Sequence, residues 1–438
     1  MPTQRTLTRI VKPSTLSINL MKQSFSLFCA LLLSVSAVAA GKQTFDVSVF
    51  GAKGDGLTKD TAAFQKALDA AASVGGGTVV VPEGSYVIGS ITLGPNTTLH
   101  LETKSCLLAS GDVADYPLVN IRWEGEFRDG HRALISSISS ANIAITGPGT
   151  IFGPPSPLSH LRNPRGPALI ELTDCTNALL EGFTTQYQQL WSIHTLFCRK
   201  LVARNLTIRS TNANGDGIDV DSCADVLIDR CDIDTGDDAI SLKSGRGLAA
   251  MKLSRPTENV TIRDSRLHSS IYAALGIGTE MSGGIRNVTL ENCTISGRQN
   301  AIFIKSRDGR GGYIQDITGE NLVVLKSPTF VGIDLKNKGI QASDPVTGEV
   351  EKWALVKNIK FKKIQVHDVA ELVAGRGVPA ERPCAGLQLM DISGTCGRGI
   401  ALANMTDVKL SGIHVTGFDG PLISAENVKG TGLDSTAN

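Results

Sequence analysis

Two acidic clusters carry the residues best suited to chemistry. The first is Asn214-Gly215-Asp216-Gly217-Ile218-Asp219-Val220-Asp221, and the second is Thr235-Gly236-Asp237-Asp238-Ala239-Ile240. Asp216 and Asp237 stand 21 residues apart. In a chain that coils with about that period, equivalent positions of adjacent coils stack roughly 4.8 Å apart, so Asp216 meets the Asp237/Asp238 pair on one face. Carboxylates held that close repel one another and push at least one pKa upward. A general acid is kept protonated beside a general base in this way. Two carboxyl groups flanking a glycosidic bond are the minimum equipment for its hydrolysis. A lone Asp-Gly segment is commonly a turn or a Ca²⁺ loop, but two acidic clusters one period apart fit a site better than a pair of turns. A Ca²⁺ site working with an Arg base, as in β-helical lyases, is the competing chemistry.

The elements that must position these residues are repeats. Ile143-Ala144-Ile145-Thr146-Gly147, Leu201-Val202-Ala203-Arg204-Asn205, Val226-Leu227-Ile228, Val260-Thr261-Ile262-Arg263-Asp264 and Val288-Thr289-Leu290-Glu291-Asn292 share one alternating pattern, with weaker copies from Ala178, Ile317, Ile359 and Val408. Successive starts from Ala178 are 23, 25, 34, 28, 29, 42 and 49 residues apart. A recurring period means a solenoid, and alternation within each copy means strands. Gly and Asn punctuate the copies as turns, so Asn205, Asn259, Asn287 and Asn292 read as turn or stacking residues. The predicted fold is all-β, a right-handed parallel β-helix. A leucine-rich repeat lacks its Leu spacing here, and a sandwich lacks its hairpin turns.

The start is different. Asp46 to Ala52 reads as a strand and turn. Thr61 to Ala72 places Phe64, Ala67, Leu68 and Ala71 at helical spacing behind an N-cap at Asp60 or Thr61. Gly75-Gly76-Gly77 stops that helix, and Thr78 to Val81 is a strand. A helix across the open end of a solenoid is a cap against edge pairing. The predicted organisation is an N-terminal extension and signal peptide over residues 1–40, then one catalytic β-helix over 41–438 with its cap at about 45–95.

The 438 residues are 41% hydrophobic and 19% charged with net charge +1, which excludes a disordered chain and a broad basic nucleic-acid face. Lys22, the apolar run Phe25 to Val38 and Ala37-Val38-Ala39 form a secretory signal pattern, starting from Met21. The mature protein is expected to be secreted or periplasmic, with no membrane segment after cleavage. Eight cysteines remain: 106, 175, 198, 223, 231, 293, 384 and 396. Cys384 and Cys396 are candidates for a loop clip, and the others read as buried thiols. No CxxC or His/Cys pattern marks a metal site, and none is predicted.

At its acidic clusters the chain resembles glycoside hydrolase family 28, the polygalacturonase family, over roughly residues 45–425. Asn214-Gly215-Asp216 matches the family's Asn-Thr-Asp motif with Gly in the Thr position, and Gly236-Asp237-Asp238 matches Gly-Asp-Asp intact. Asp219, Ile240 to Gly245, Trp191-Ser192-Ile193-His194, Gly278 to Gly284 and Ile304-Lys305-Ser306 through Gly311-Gly312 also fit. The resemblance implies an inverting hydrolase of pectic polysaccharide that needs no cofactor. Asp237 would be the general acid, and Asp216 and Asp238 would hold and deprotonate the attacking water.

Two departures bear on the substrate. The family's Gly-His-Gly position is Tyr272 here; a tyrosine is no base at neutral pH but stacks on a sugar or hydrogen-bonds the cluster. His268 replaces it only if the alignment slips. The family's Arg-Ile-Lys is Phe303-Ile304-Lys305 here, which keeps one cation and removes the fork suited to a carboxylate. An apolar face at Phe303 suits a 6-deoxy sugar, so the first expectation is cleavage of rhamnogalacturonan-type galacturonate–rhamnose linkages. Polygalacturonate is the second, and a non-catalytic polysaccharide-binding solenoid the third. Candidate substrate-binding residues are Lys305, Lys243, His194, Tyr272, Phe303 and Glu280. Arg307 and Arg310 are placed in a cleft-lining loop, and Trp123 and Arg162 in loops that could wall the groove. A monomer acting on a pectic polysaccharide, with no nucleic-acid partner, completes the expectation.

Overall fold

Short alternating strands can bury one face only by stacking on copies of themselves, and this chain does so through most of its described residues. The computed structural model describes residues 43–155, 158, 161, 163–188, 190–337 and 351–434. The expected extension and signal peptide lie outside the described residues. Residues from Gln43 onward form one compact unit. Its coils pair in parallel as three rows of strands, as expected of a β-helix, and parallel crossovers of this kind are right-handed.

The row that carries the site includes Ile170–Thr173, Ile193–Leu196, Ile218–Asp221, Ile240–Lys243, Ala273–Ile277, Asn300–Lys305 and Thr329–Asp334. Its register stacks Ile170, Ile193, Ile218, Ile240, Leu275, Ile302 and Val331 inward. The neighbouring outward position runs Glu171, His194, Asp219, Ser241, Gly276, Phe303 and Gly332. A slip of one residue would exchange these two sets, so the apolar pattern fixes which side chains face the groove. A second row aligns Leu180, Ala203, Ile228, Ile262 and Leu290 in the core. Each such buried Leu or Ile side chain stabilises the stack by about 1.5–3 kcal/mol.

The 49-residue spacing conceals a coil. Ile359 pairs with Leu387, and Gln388 pairs with Lys409, so the strand Cys384–Cys396 lies between the copies at Ile359 and Val408. The 34-residue spacing holds the helix Gly247–Leu253. At the corners, Asn205, Asn259, Asn287 and Asn292 adopt left-handed backbone (φ 53–56°), which Asn tolerates better than most residues. Asn287 donates to Asn259 at 2.7 Å and Asn259 to Asp225 at 2.8 Å, forming a ladder up the solenoid.

The cap helix spans Thr61–Ser73 and buries Ala63, Phe64, Ala67, Leu68 and Ala71. Asp60 precedes it without a side-chain cap; its carboxylate accepts from the Lys53 and Gly54 N–H groups instead. Gly76 N–H bonds the Ala71 carbonyl, ending the helix where the glycine run predicts. The eight described cysteines are all free thiols. The proposed Cys384–Cys396 clip is therefore not formed. These two residues are the ends of one strand, which keeps them apart. Among the described residues one antiparallel pair breaks the pattern: the hairpin Leu118–Trp123 and Glu126–His131.

Candidate active site

Asp216 and Asp238 enter adjacent coils at equivalent places. Ser192 N–H bonds the Asp216 carbonyl, Gly217 N–H bonds the Asp238 carbonyl, and Ala239 N–H bonds that of Ala273, so Trp191, Asp216 and Asp238 follow one another along the groove. Oxygens of Asp216, Asp237 and Asp238 all lie within 4.8 Å of one another. The coil spacing thus brings the two acidic clusters together, as the 21-residue separation predicts.

The three carboxylates have different partners. Asp237 accepts from Asn214 N–H (2.9 Å) and Asp238 N–H (2.9 Å) and forms no ion pair among the described residues. Burial and the neighbouring Asp238 charge raise its pKa to about 6. Asp238 is held by Lys305 Nζ at 2.9 Å, by Ala273 N–H at 3.1 Å and by Ser241 Oγ at 3.4 Å. Asp216 is only 4% exposed, and its Oδ1 has no hydrogen-bond partner. Burial first, then Asp219 and Asp237, push its pKa well above the usual carboxylate range. Low exposure and like charge therefore leave the cluster holding a proton that isolated carboxylates would release. The same three residues are those a divalent cation would bind, and Lys305 already occupies one side of Asp238.

Lys243 lies inside the protein. Its Nζ is 2.5 Å from Asp219 Oδ1, 3.6 Å from Glu280 Oε2, 3.7 Å from Asp216 Oδ2 and 3.7 Å from the Trp191 ring centroid. Burial works against its charge, but Asp219, Glu280 and Asp216 hold its pKa well above the ordinary lysine range. Lys243 and Glu280 are thus components of a buried ion cluster behind Asp216. His194 is fully buried between Glu171 (3.2 Å) and Asp221 (3.9 Å), edge-on to Trp191. Burial opposes its charge, yet the two carboxylates win and raise its pKa to about 9. Tyr272 is half-buried beside the cluster, its pKa raised by burial and by Asp237. Phe303 is half-buried with Lys305 Nζ 5.5 Å from its ring centroid. His268 sits in another row, bonded to Ser296, so it takes no part in the cluster. Arg307 and Arg310 are buried, and Arg162 lies outside the described residues.

The hairpin closes one end. Arg122 pairs with Asp221 at 3.3 Å, Arg246 pairs with Glu126 at 3.0 Å, and Arg246 N–H bonds the Gly125 carbonyl. Trp123 packs on Trp191 with ring centroids 4.9 Å apart. The surface one coil before Asp216 is therefore covered.

A sequence profile described as "Glycosyl hydrolases family 28" matches residues 78–425. The chain belongs to that family. It is a hydrolase of glycosidic bonds. A second profile, "Rhamnogalacturonase A/epimerase, pectate lyase-like", matches residues 44–100, which are the cap and first coils and contain no site residue. A Vitis vinifera protein named "Probable polygalacturonase" is 29% identical over 381 residues, covering 82% of this chain and 76% of that one. An "Exo-poly-alpha-D-galacturonosidase" of Dickeya chrysanthemi is 25% identical over 339 residues, covering 65% and 56%. The crystal structure of the Thermotoga maritima exopolygalacturonase superposes with TM-score 0.70 at 24% identity, covering 90% of this chain and 93% of that one. The family 28 exopolygalacturonase of Yersinia enterocolitica gives 0.78 at 21% identity, covering 89% and 79%. These likenesses fit polygalacturonase-type pectin degradation better than the rhamnogalacturonan preference drawn from Phe303.

Three features of this family 28 site escape the sequence. Arg165 lies beneath the hairpin, and Trp123 and Trp191 meet only through the fold. Gly276 is the third. A Cβ there would stand 2.1 Å from Asp238 Oδ2, because the carboxylate lies over that glycine. Gly276→Ala is expected to displace Asp238 from Lys305 and lower kcat by at least about tenfold, since small misplacements of catalytic groups are costly. Retained circular dichroism with unchanged kcat would show that Asp238 does not depend on that space.

Proposed function

We infer that this protein hydrolyses polygalacturonate with inversion, acting from a chain end, and that residues 41–438 form one catalytic domain. Asp237 donates a proton to the leaving oxygen. Asp238, ion-paired with Lys305, takes the proton of the attacking water, and Asp216 helps to hold that water. The observation that carries this assignment is the contrast among the three carboxylates: Asp238 is ion-paired with Lys305, Asp216 presents an unpartnered Oδ1, and Asp237 has a pKa near 6 with no cation on it. An acid with that pKa holds its proton in mildly acidic solution and releases it readily in the transition state. Tyr272 beside Asp237, and Phe303 beside Lys305, would flank the sugar, with Lys305 facing a uronate carboxylate. Lys243, Glu280 and His194 would act behind the cluster rather than on the sugar.

The covered surface at Trp191 supports chain-end action. A polymer cannot run freely past Trp123 and the hairpin, so only short lengths of chain fit on that side of Asp216. The homologues named as polygalacturonases support the polymer assignment. The discriminating experiment incubates the protein in parallel with polygalacturonic acid and with debranched rhamnogalacturonan, with Asp237→Asn as blank, and reads product masses. Galacturonate or short oligogalacturonates released from the first, with slow loss of viscosity and no chelator sensitivity, are expected. Alternating galacturonate–rhamnose products from the second alone would restore the Phe303 preference. Unsaturated products absorbing in the ultraviolet would mean a lyase.

A further inference from the structure

Arg165 is a buried cation that the family 28 triad does not use. It is 3% exposed, and its Nη1 and Nη2 have no hydrogen-bond partner. Its guanidinium lies against the Trp123 ring and 4.4 Å from the Trp191 ring centroid. Trp191 in turn has Lys243 3.7 Å from its centroid, so indoles and cations alternate from the hairpin to the ion cluster behind Asp216. A narrow cleft, partly open to solvent and with room for about one water molecule, is lined by Trp123, His131, Arg165, Glu171 and Trp191 among others.

The guanidinium is placed and stiffened without being satisfied. His131 Nδ1 bonds the Arg165 carbonyl at 2.7 Å, and Arg165 pairs as an isolated bridge with Gly130 of the hairpin, which fixes its backbone. The rings fix the plane of the side chain. Asp216, Asp219, Glu124 and Glu171 act on it electrostatically, but none forms an ion pair with it; Glu171 is already bonded to His194. Burial lowers its pKa to about 9, so it is cationic at neutral and acidic pH. A buried charge with two unpaired donors is costly unless something pairs with it. A planar fork held between aromatic faces is the geometry that recognises a carboxylate through two parallel hydrogen bonds.

We propose that Arg165 is the specificity-determining residue that receives the carboxylate of a terminal uronate at the closed end of the groove, the fork contact that Phe303 cannot make. The proposal rests on the polygalacturonate assignment for its polymer, but its ligand chemistry is independent of turnover. Trp123 and Trp191 are two of the three tryptophans, so binding there reports directly in intrinsic fluorescence.

The test titrates the protein with D-galacturonate, its methyl ester and D-galactose, following tryptophan fluorescence and heat. D-Galacturonate is expected to bind at least tenfold more tightly than the ester or galactose, with a fluorescence change. Arg165→Gln should abolish that preference while leaving ester and galactose binding unaltered. Arg165→Lys should lose most of it, because an ammonium is a single point of contact; this variant also serves if the Gln variant does not fold. Equal binding of acid and ester by the parent protein overturns the proposal, as does a folded Arg165→Lys or Arg165→Gln protein that keeps the full preference. Cleavage of polygalacturonate is scored separately. Cleavage without an Arg165-dependent preference sinks this proposal alone, whereas the preference without cleavage sinks the polygalacturonate assignment alone.

Discussion

Replacing Asp237 by Asn is expected to lower kcat on polygalacturonate by about 10²–10⁴-fold, the usual worth of a positioned general acid. The pH dependence carries the sign. In the proposed role Asp237 must be protonated to act, and its pKa is raised to about 6. Activity should therefore fall as pH rises through about 6, and this alkaline limb should vanish in Asp237→Asn. The residual activity of the variant should recover on an aryl galacturonide, whose leaving group needs little protonation. A variant with parental rate and pH profile on the polymer would remove Asp237 from the chemistry. The neighbouring Asp216→Asn separates catalysis from stability. The native pKa of Asp216 is raised above its unfolded value, so the native state holds a proton that the unfolded state gives up. Stability then falls as pH climbs from about 4 through the raised native value. The Asn variant escapes that loss. It should be inactive, yet gain in thermal midpoint relative to the parent protein between pH 4 and pH 7. A difference that does not change with pH would mean that Asp216 is not held protonated.

Lys243→Met is expected to be the most destabilising substitution near the site. Lys243 faces Asp219, Glu280 and Asp216 from a position 5% exposed. Removing one partner from a buried ion cluster costs about 3–5 kcal/mol, because the remaining charges stay buried and unpaired. The Met side chain fills similar volume, which keeps any cavity contribution small. Lys243→Met combined with Asp219→Asn should regain part of the lost stability, since it removes the carboxylate nearest to the missing ammonium. Thermal and denaturant unfolding of the four proteins in this cycle measure the coupling. Coupling near zero would recast Lys243 as a solvated side chain and free it to meet substrate.

The solenoid was legible because its physics is local and repeated. Alternating apolar residues such as Ile143 and Ile145 must face one way in a strand, and each copy needs a neighbour to cover that face. Asp216 and Asp237 were legible together for the same reason: one coil of separation in sequence becomes one strand spacing in space. The coil at Cys384–Cys396 carries the same alternation, Leu387-Gln388-Leu389-Met390-Asp391, and is absent from the copies read from the sequence. Lys243 reads in the sequence as a substrate-binding candidate; only the stacking of Asp219, Asp216 and Glu280 around it reveals a buried cluster. Arg165 and Trp123 carry no periodic signal at all. Trp123 sits on an antiparallel hairpin inserted between coils and Arg165 in a later loop that bridges to Gly130, and no spacing in the sequence says where such insertions land. Phe303 is a different case. The missing Arg reads as a lost carboxylate contact when one position is considered alone, and the relatives named as polygalacturonases fit the polygalacturonate alternative better.

The most direct measurement is the anomeric configuration of the first product, followed by proton NMR as polygalacturonate is cleaved. By the two-carboxylate rule, inverting pairs stand about 6.5–9.5 Å apart and retaining pairs about 5–5.5 Å. The oxygens here lie within 4.8 Å, a spacing that by itself points to retention. Asp238, however, is pinned by Lys305 and Ala273, and Asp216 is buried beside it, so neither is free to advance on the anomeric carbon. In the proposed mechanism both instead hold one water opposite Asp237. The expected first product from the α-linked polymer is the β-anomer, appearing before mutarotation, and absent with Asp237→Asn. An α-anomer formed first would contradict this, and would make one of the two carboxylates a nucleophile.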